Sequence, residues 1–374
     1  MTNDLLYQLA LTKVPTIGCV HAKILSQQYG TAESIFKAKL HQLEELEGIG
    51  RVRAKSIKNF TDFPAAEAEI KFIEKYKITP LFLTDKNYPQ RLLNCYDSPT
   101  LLYYKGNADL NSSKIIAIVG TRNHTDYAKH VTDKFIKELA EGANGKEQNI
   151  LVVSGMAYGV DAIAHKAALK NKMATVGVLA HGLDQIYPPQ HSGLAKDMLK
   201  NDGGLLTEFR SKTKPDKHNF PTRNRIVAGM SDATIVIETG IKGGSMITAE
   251  LANGYNRDVF ALPGKVTDAK SAGCNYLIKT NKAMLLTDAQ ELIEVMGWEE
   301  KLQKTNNKFQ KELFIELSKD EKIVVNILKE KETVSIDEIN LKSGLSSSAV
   351  AVAILNMELQ GVVLSLPGKL YKLN

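Results

Sequence analysis

The chain has 374 residues, of which 43% are hydrophobic and 24% are charged, and its formal net charge is +6. This length exceeds one ordinary core, so we expect two or three domains, and the balanced composition excludes a wholly disordered or fibrous protein. The mild positive charge permits a polyanionic partner without requiring one.

The beginning of the chain and its cysteines bear on location and metal binding. The sequence MTNDLLYQLALTKVPTIG lacks the basic and apolar regions of a secretory signal, and no later stretch approaches the roughly 20 apolar residues of a membrane span. Cys19, Cys95 and Cys274 lie far apart without a CxxC pair, which excludes a cysteine–zinc cage and argues against disulfides. We therefore expect a soluble, cytoplasmic protein that does not attach to membranes and needs no metal or cofactor.

Residues 1–78 are predicted to form a small helical domain of the helix-hairpin-helix or SAM-like type. Two similar phrases, VPTIGCVHAKILSQQYG and LEGIGRVRAKSIKNF, each place a turn before a helix. In the second phrase, the turn Gly48-Ile49-Gly50 would let backbone N–H groups approach a phosphate. Thr16 replaces the leading glycine in the first phrase. The module therefore either contacts DNA or serves only for packing, and the sequence leaves both open.

Residues 79–297 are predicted to form an α/β domain. From residue 114, helical segments alternate with short apolar runs that end near Gly or Pro: KIIAIVG, NILVVSG, MATVGVLAHG, GGLLTEF, DATIVIETG and RDVFALPG. Strands buried on both faces have this composition, and the alternation predicts an extended Rossmann-like, doubly wound, mostly parallel sheet. Residues 79–106 are rich in aromatic residues and turn formers, and we interpret them as an irregular lead-in to the domain.

The C-terminal part predicts a winged helix. Residues 298–317 are polar and weakly patterned, which is typical of a linker. Residues 318–374 predict three helices and a terminal hairpin with a turn at Pro367-Gly368, and they carry seven Lys, no Arg and seven acidic residues. The third helix has no basic residue, whereas duplex readers depend on Lys and Arg. We therefore expect a protein-contact module in preference to a duplex reader.

Three loops at the carboxyl ends of the predicted strands are rich in small residues. Ligands of open parallel sheets bind at this edge, where backbone amides and helix N-termini can hold an oxyanion. The loops contain Gly120, Thr121 and Arg122, then Ser154, Gly155, Met156 and Ala157, then Gly243, Gly244 and Ser245. Together they predict a phosphate cradle, although a single Gly at such a turn often reflects turn geometry alone. The patterns GxGxxG and GxxxxGK[ST] are absent, which argues against NAD binding and ATP hydrolysis.

A basic segment at residues 210–226, RSKTKPDKHNFPTRNRI, is the strongest local signal. It combines Phe220 and one acid, Asp216, with six cations: Arg210, Lys212, Lys214, Lys217, Arg223 and Arg225. Cations follow phosphates and an exposed ring stacks on an unpaired base, so the segment predicts single-strand binding. The alternative is a solvated basic loop with Phe220 in the core.

Signals for catalysis are poorer. Asp161 and His165 stand four residues apart on one predicted helix, as an acid–base pair or, more commonly, as a helix-start Asp beside a hydrogen-bonded His. His181, Asp184, Glu208 and Glu238 are scattered near loops, and no GxSxG, HExxH or carboxylate-metal signature accompanies them. We therefore expect a binding protein and not an enzyme.

With these motifs in view, the sequence resembles the DNA-processing protein A (DprA, also called Smf) family of bacteria. The resemblance runs over roughly residues 80–290 and includes IAIVGTR, VSGMAYGVDAIAHKAAL, FPTRNRIVAGMSDATIVIE and GGSMITAELANGYNRDVFALPG. It implies a protein that binds single-stranded DNA without sequence preference, forms a homodimer and loads RecA recombinase during natural transformation.

Carried onto this sequence, the resemblance assigns DNA binding to the three loops above. It adds Lys217, Arg223, Asn224 and Arg225 from the basic segment, with Phe220 as the base-stacking ring. Two departures stand out: Gly243 occupies a position where the family more often has Ser, and the triplet Asn123-His124-Thr125 after GTR is unusual.

Two other functions remain open. The phrase GGSMITAE distantly resembles a loop of nucleotide phosphoribohydrolases, with Glu250 as the candidate carboxylate, although the leading Pro of that loop is absent and Thr248 is displaced. Alternatively, the chain is a regulatory adaptor in which the winged helix binds a protein or a duplex and the central domain senses a small anion.

Overall fold

A computed structural model describes residues 4–142, 149–298, 317–366 and 368–374. Among these residues, one compact unit holds the elements up to Leu286 and a second holds those from Thr287 onward. Residues 299–316 of the predicted linker lie outside the described residues. The predicted boundaries at 78 and 297 stay predictions.

Six short helices begin the first unit. They are α1 (Asp4–Leu11), α2 (Cys19–Tyr29), α3 (Ala32–Lys37), α4 (Leu40–Glu44), α5 (Gly50–Lys58) and α6 (Phe63–Tyr76). The turn before α5 has left-handed backbone at Gly48 (φ 82°) and Gly50 (φ 60°), and Thr16 adopts φ 69° in the first copy. Thr16 therefore keeps the turn despite its side chain. The buried residues of these helices form one core with Phe82, Leu101 and Tyr103 of the sheet.

The first unit also contains a nine-stranded sheet. Its strands are β1 (Thr79–Phe82), β2 (Leu101–Gly106), β3 (Lys114–Val119), β4 (Ile150–Ser154), β5 (Thr175–Val178), β6 (Gly204–Thr207), β7 (Ala233–Val236), β8 (Asp258–Ala261) and β9 (Met284–Leu285). The spatial order is β1-β2-β6-β5-β4-β3-β7-β8-β9. The strands from β3 onward pair in parallel, whereas β2 pairs antiparallel with both β1 and β6.

The interpretation of residues 79–106 as an irregular lead-in is wrong. This stretch supplies β1 and β2, which extend the sheet, and the short helix α7 (Gln90–Leu93) between them. Leu81 pairs with Leu102 across the two strands, and both side chains are buried. The turn formers that obscured the pattern lie in the connection between the strands.

Six helices connect the strands that follow β3. They are α8 (Asp126–Glu141), α9 (Val160–Lys170), α10 (Ser192–Lys200), α11 (Asn219–Gly229), α12 (Gly244–Gly254) and α13 (Ala272–Lys279). From β3 the chain adds β4, β5 and β6 on one side and then returns to place β7 on the other side. The carboxyl ends of β3 and β7 therefore form a topological switch point, where ligands of open α/β sheets bind.

The second unit contains the winged helix. Its elements are α14 (Ala289–Val295), α15 (Lys319–Leu328), β10 (Val334–Ser335), α16 (Ile336–Ser343), α17 (Ser347–Leu359), β11 (Val363–Leu366) and β12 (Leu370–Leu373). The hydroxyls of Ser318, Ser335 and Ser346 accept N–H groups at the starts of α15, α16 and α17, which fixes where these helices begin. Of the predicted turn, Pro367 lies outside the described residues and Gly368 has φ 78°.

The predicted fold class is confirmed: a doubly wound, mostly parallel α/β sheet follows a helical N-terminal part and precedes a winged helix. The three cysteines are free thiols. Within the described ranges, no helix is long and apolar enough to cross a membrane.

Candidate nucleic-acid interface

A cleft of about 540 Å³ opens at the switch point of the sheet. Its volume lies within the range of small-ligand sites. Its wall includes most of the predicted binding residues: Gly120, Thr121, Arg122, Gly155, Ala157, Lys217, Phe220, Arg223, Asn224, Gly243, Gly244 and Ser245. The fold therefore brings the three small-residue loops and the start of α11 to one place.

Hydrogen bonds to Glu238, which follows β7, anchor both ends of the loop after β3. The backbone oxygen of Glu238 accepts the Thr121 N–H (2.7 Å), and its buried carboxylate accepts the N–H (3.0 Å) and the hydroxyl (2.6 Å) of Thr125. The unusual triplet that ends at Thr125 is thus a fixed turn. Arg122 stands exposed between these two anchors.

The floor of the cleft carries a buried pair of opposite charges, Arg223 and Asp161. A Cβ atom on Gly155 would lie 2.4 Å from Asp161 Oδ2 and 2.5 Å from Arg223 Nη1, so only Gly leaves room for both groups. Arg223 is 5% exposed and donates to the backbone oxygen of Val178. Burial lowers the pKa of Arg223 and raises that of Asp161, and the attraction between the two groups opposes both shifts.

Asp161 and His165 do not form an acid–base pair. The Nε2 atom of His165 lies 2.6 Å from the Gly155 carbonyl oxygen, and Nδ1 lies 2.7 Å from Thr175 Oγ1. The ring is fully buried, and burial lowers the pKa of His165 to about 4. His165 is thus a hydrogen-bonded structural histidine, which was the alternative to an acid–base pair. Its contact with the Gly155 carbonyl stabilises the loop after β4.

The opposite wall is the N-terminus of α12. A Cβ atom on Gly243 would lie 2.1 Å from Thr239 Oγ1, whereas one on Gly244 would meet no atom within 4 Å and would face open space. Ser245 Oγ is buried without a hydrogen-bond partner among the described residues. The first N–H groups of a helix lack partners within the helix and carry partial positive charge. This wall therefore presents amide donors and a hydroxyl to an anion.

Phe220 and Arg122 meet at the mouth of the cleft. Phe220 is half-buried, and the guanidinium carbon of Arg122 lies 5.0 Å from the centroid of its ring. The Tyr187 ring centroid is 6.2 Å from that of Phe220, and the exposed Lys217 lines the same wall. An aromatic surface and two cations thus stand together, which is the combination that single-strand binding requires.

Three predicted residues, Ser154, Met156 and Arg225, do not line the cleft. The Ser154 hydroxyl donates to the backbone oxygen of Ile118 (2.6 Å), and Met156 is buried. Arg225 forms an ion pair with Glu208. Met156 instead lines a smaller cavity that shares Arg122, Phe220 and Arg223 with the cleft.

Several wall residues were not among the predicted DNA-binding residues, namely Thr239, Gly240, Ile247 and Thr248. All four lie in the loop after β7 or near the start of α12. Their closeness in sequence to Gly243, Gly244 and Ser245 could have predicted that they line the cleft. Glu250, the candidate of the phosphoribohydrolase hypothesis, is exposed, pairs with Lys282 (3.6 Å) and does not line the cleft.

Family models match three parts of the chain. A model described as DNA recombination-mediator protein A matches residues 79–297, a DprA winged helix domain matches residues 315–369 and a helix-hairpin-helix motif matches residues 5–70.

Individual relatives extend over most of the chain. Protein Smf of Synechocystis sp. is 33% identical over 98% of both chains, and DNA processing protein DprA of Streptococcus pneumoniae is 39% identical over 59% of this chain and 75% of its own. The crystal structure of the Streptococcus protein superposes with a TM-score of 0.64 at 32% identity, covering 78% of this chain and 97% of that one. A Helicobacter pylori DNA processing protein A, described with its single-stranded DNA binding mode, superposes with a TM-score of 0.52 at 32% identity, covering 60% of this chain and 97% of that one. The chain belongs to the DNA recombination-mediator protein A family, also called DprA or Smf.

Proposed function

We propose that the cleft binds single-stranded DNA without sequence preference and that the protein delivers the strand to RecA recombinase during natural transformation. The observation that carries this proposal is the meeting of cations, an aromatic ring and free backbone donors in one cleft. The Helicobacter relative, whose described property is single-stranded DNA binding, supports it. RecA, a homodimer and a cytoplasmic location are proposed from membership of the family.

The residues divide into two roles. The start of α12, Arg122 and Lys217 hold phosphates, and the buried guanidinium of Arg223 adds positive charge from the floor. Phe220 supplies a face on which any base stacks. Phosphate contacts and stacking read no base edges, so binding tolerates all sequences.

We also propose that the cleft binds without covalent chemistry. The buried carboxylate of Asp161 faces the guanidinium of Arg223, and both nitrogens of His165 are engaged by the surrounding fold. These contacts explain Asp161 and His165 as groups that stabilise the cleft, and we propose no reaction for either of them.

The test is fluorescence anisotropy of a labelled oligothymidine at two salt concentrations, with a matched duplex as competitor. We expect salt-dependent binding that the duplex barely competes. Phe220→Ala should lose affinity by about 5- to 150-fold, since stacking contributes about 1–3 kcal/mol per base. Arg122→Ala should reduce the slope of log affinity against log salt by about 0.7.

Tyr96→Ala is the matched aromatic control, because Tyr96 is 67% exposed and lies outside the cleft wall. Binding that the duplex competes equally, or cleft variants that bind as the wild type does, would mean that the cleft holds a different anion.

A further inference from the structure

The basic loop between β6 and α11 lacks regular structure, yet it carries much of the positive charge near the cleft. Arg210, Lys212, Lys214 and Lys217 are all exposed in it, and Lys217 lines the cleft. Four cations of one sign repel each other and favour an extended, mobile loop. Contacts from outside the loop must therefore hold it in one conformation.

The firmest of these contacts comes from the N-terminal helices. Glu69, on α6, is 7% exposed, and its two carboxylate oxygens accept both hydrogens of Ser211: the backbone N–H at 2.8 Å and the hydroxyl at 2.6 Å. A buried carboxylate is tolerated only where hydrogen bonds replace its hydration. Glu69 thus gains from the loop the hydrogen bonds that its burial demands, and the loop gains a fixed point between Arg210 and Lys212.

The next residue shows that contacts impose the loop conformation. Lys212 has a left-handed backbone (φ 65°), which a non-Gly residue adopts only when its surroundings enforce it. Its N–H donates to Asp184 Oδ1 (2.9 Å), and the Thr213 carbonyl accepts the Gly182 N–H (3.1 Å). The loop is therefore held from two sides, by α6 and by the segment after β5.

We propose that Glu69 is a positioning residue for single-strand binding, which makes the N-terminal helical module a support for the basic loop. The inference rests on the proposed function of the cleft. The module then assists binding without touching DNA: it fixes the path of Arg210, Lys212 and Lys214 in the segment that leads to Lys217 on the cleft wall, and these cations follow the phosphates of the strand beyond the cleft.

The test compares Glu69→Ala with the conservative Glu69→Gln and with Glu67→Ala, an exposed carboxylate on the same helix. Gln retains an acceptor for the Ser211 N–H and a donor for its hydroxyl, so Glu69→Gln should behave as the wild type does. For Glu69→Ala we expect about a tenfold loss of affinity for oligothymidine at low salt, and a salt slope reduced by roughly 0.7 for each cation that loses its phosphate.

A second measurement needs no DNA. Limited trypsin digestion, followed by mass spectrometry, should cut Glu69→Ala after Arg210 and Lys212 several times faster than the wild type and both other variants. A purely structural role elsewhere in the module would change neither this cleavage nor the salt slope.

The outcomes separate the two proposals. If the wild type binds oligothymidine and Glu69→Ala binds it with the same affinity and salt slope, or if its loop stays protected from trypsin, the role of Glu69 is refuted. If the wild type itself fails to bind, the proposed function is refuted and this inference falls with it.

Discussion

Replacing Arg225 with Ala tests whether this cation stabilises the fold or contacts DNA. The basic segment predicts a phosphate contact, but the structure places the guanidinium against Glu208, and the two side chains are only 12% and 16% exposed. Neither residue lines the cleft. We therefore expect the variant to lose stability while its affinity for single strands keeps the wild-type salt dependence.

The size of the loss follows from burial. Removing one partner of a buried ion pair leaves the other charge uncompensated, which costs about 3–5 kcal/mol. Arg225 Nη1 and Glu208 Oε1 already lack hydrogen-bond partners among the described residues, so we expect the lower end of this range. For a unit of this size, that loss corresponds to a decrease of roughly 6–12 °C in unfolding temperature.

The loss should also depend on pH. Burial raises the pKa of Glu208, and Arg225 opposes that increase. Without Arg225 the pKa of Glu208 rises further above its value in the unfolded chain, so the folded state binds more protons than the unfolded state. Stability then decreases as pH rises from the unfolded pKa towards the folded one. The variant should therefore be more strongly destabilised at pH 7.5 than at pH 5.

Urea unfolding at both pH values measures the stability, and anisotropy with labelled oligothymidine measures the salt slope. Lys217→Ala is the matched control: Lys217 is exposed at the cleft, so its loss should reduce the slope by about 0.7 and leave stability unchanged. An Arg225→Ala variant with wild-type stability and a reduced slope would show that Arg225 contacts a phosphate.

Two further predictions concern Gly155, with Gly244 of the opposite wall as its comparison, and the buried His165. Gly155→Ala should destabilise the first unit by about 1–3 kcal/mol, because the new methyl group collides with Asp161 and Arg223. Gly244→Ala should keep the wild-type unfolding temperature and only weaken DNA binding, because its methyl group would face open space. Equal unfolding temperatures for Gly155→Ala and Gly244→Ala would contradict this prediction. Because the pKa of His165 falls to about 4 on folding, its contribution, about 3 kcal/mol, is present above pH 6.5 and lost towards pH 4. The free energy of unfolding of His165→Gln, measured in urea, should therefore fall less between pH 6.5 and pH 4 than that of the wild type. An equal fall in both proteins would contradict the prediction.

The parallel strands were predictable because both of their faces are buried. Ile150–Ser154 is buried at every residue, and such runs between helices leave few alternatives to a doubly wound sheet. β2 was not predictable in the same way, because it joins the sheet by pairing antiparallel with β6, about 100 residues later in the chain. A pairing at that distance leaves no local periodicity.

The position of the site followed from topology, since small-residue loops after parallel strands meet at one edge of the sheet. The roles of individual cations did not follow. Arg223 and Arg225 lie two residues apart on α11, which separates their directions by about 200°. One therefore enters the floor of the cleft, and the other turns towards Glu208.

By itself, the sequence determined the α/β class, the edge of the sheet that carries the cleft and the residue types that line it. Only the tertiary structure decided which charges remain available to a ligand, because that depends on carboxylates distant in the chain. Glu208 neutralises Arg225, Asp161 compensates Arg223, and Glu69 holds the loop that carries the exposed lysines. The composition of the chain does not distinguish these charges, but burial and pairing make some of them structural and leave the others exposed to a ligand.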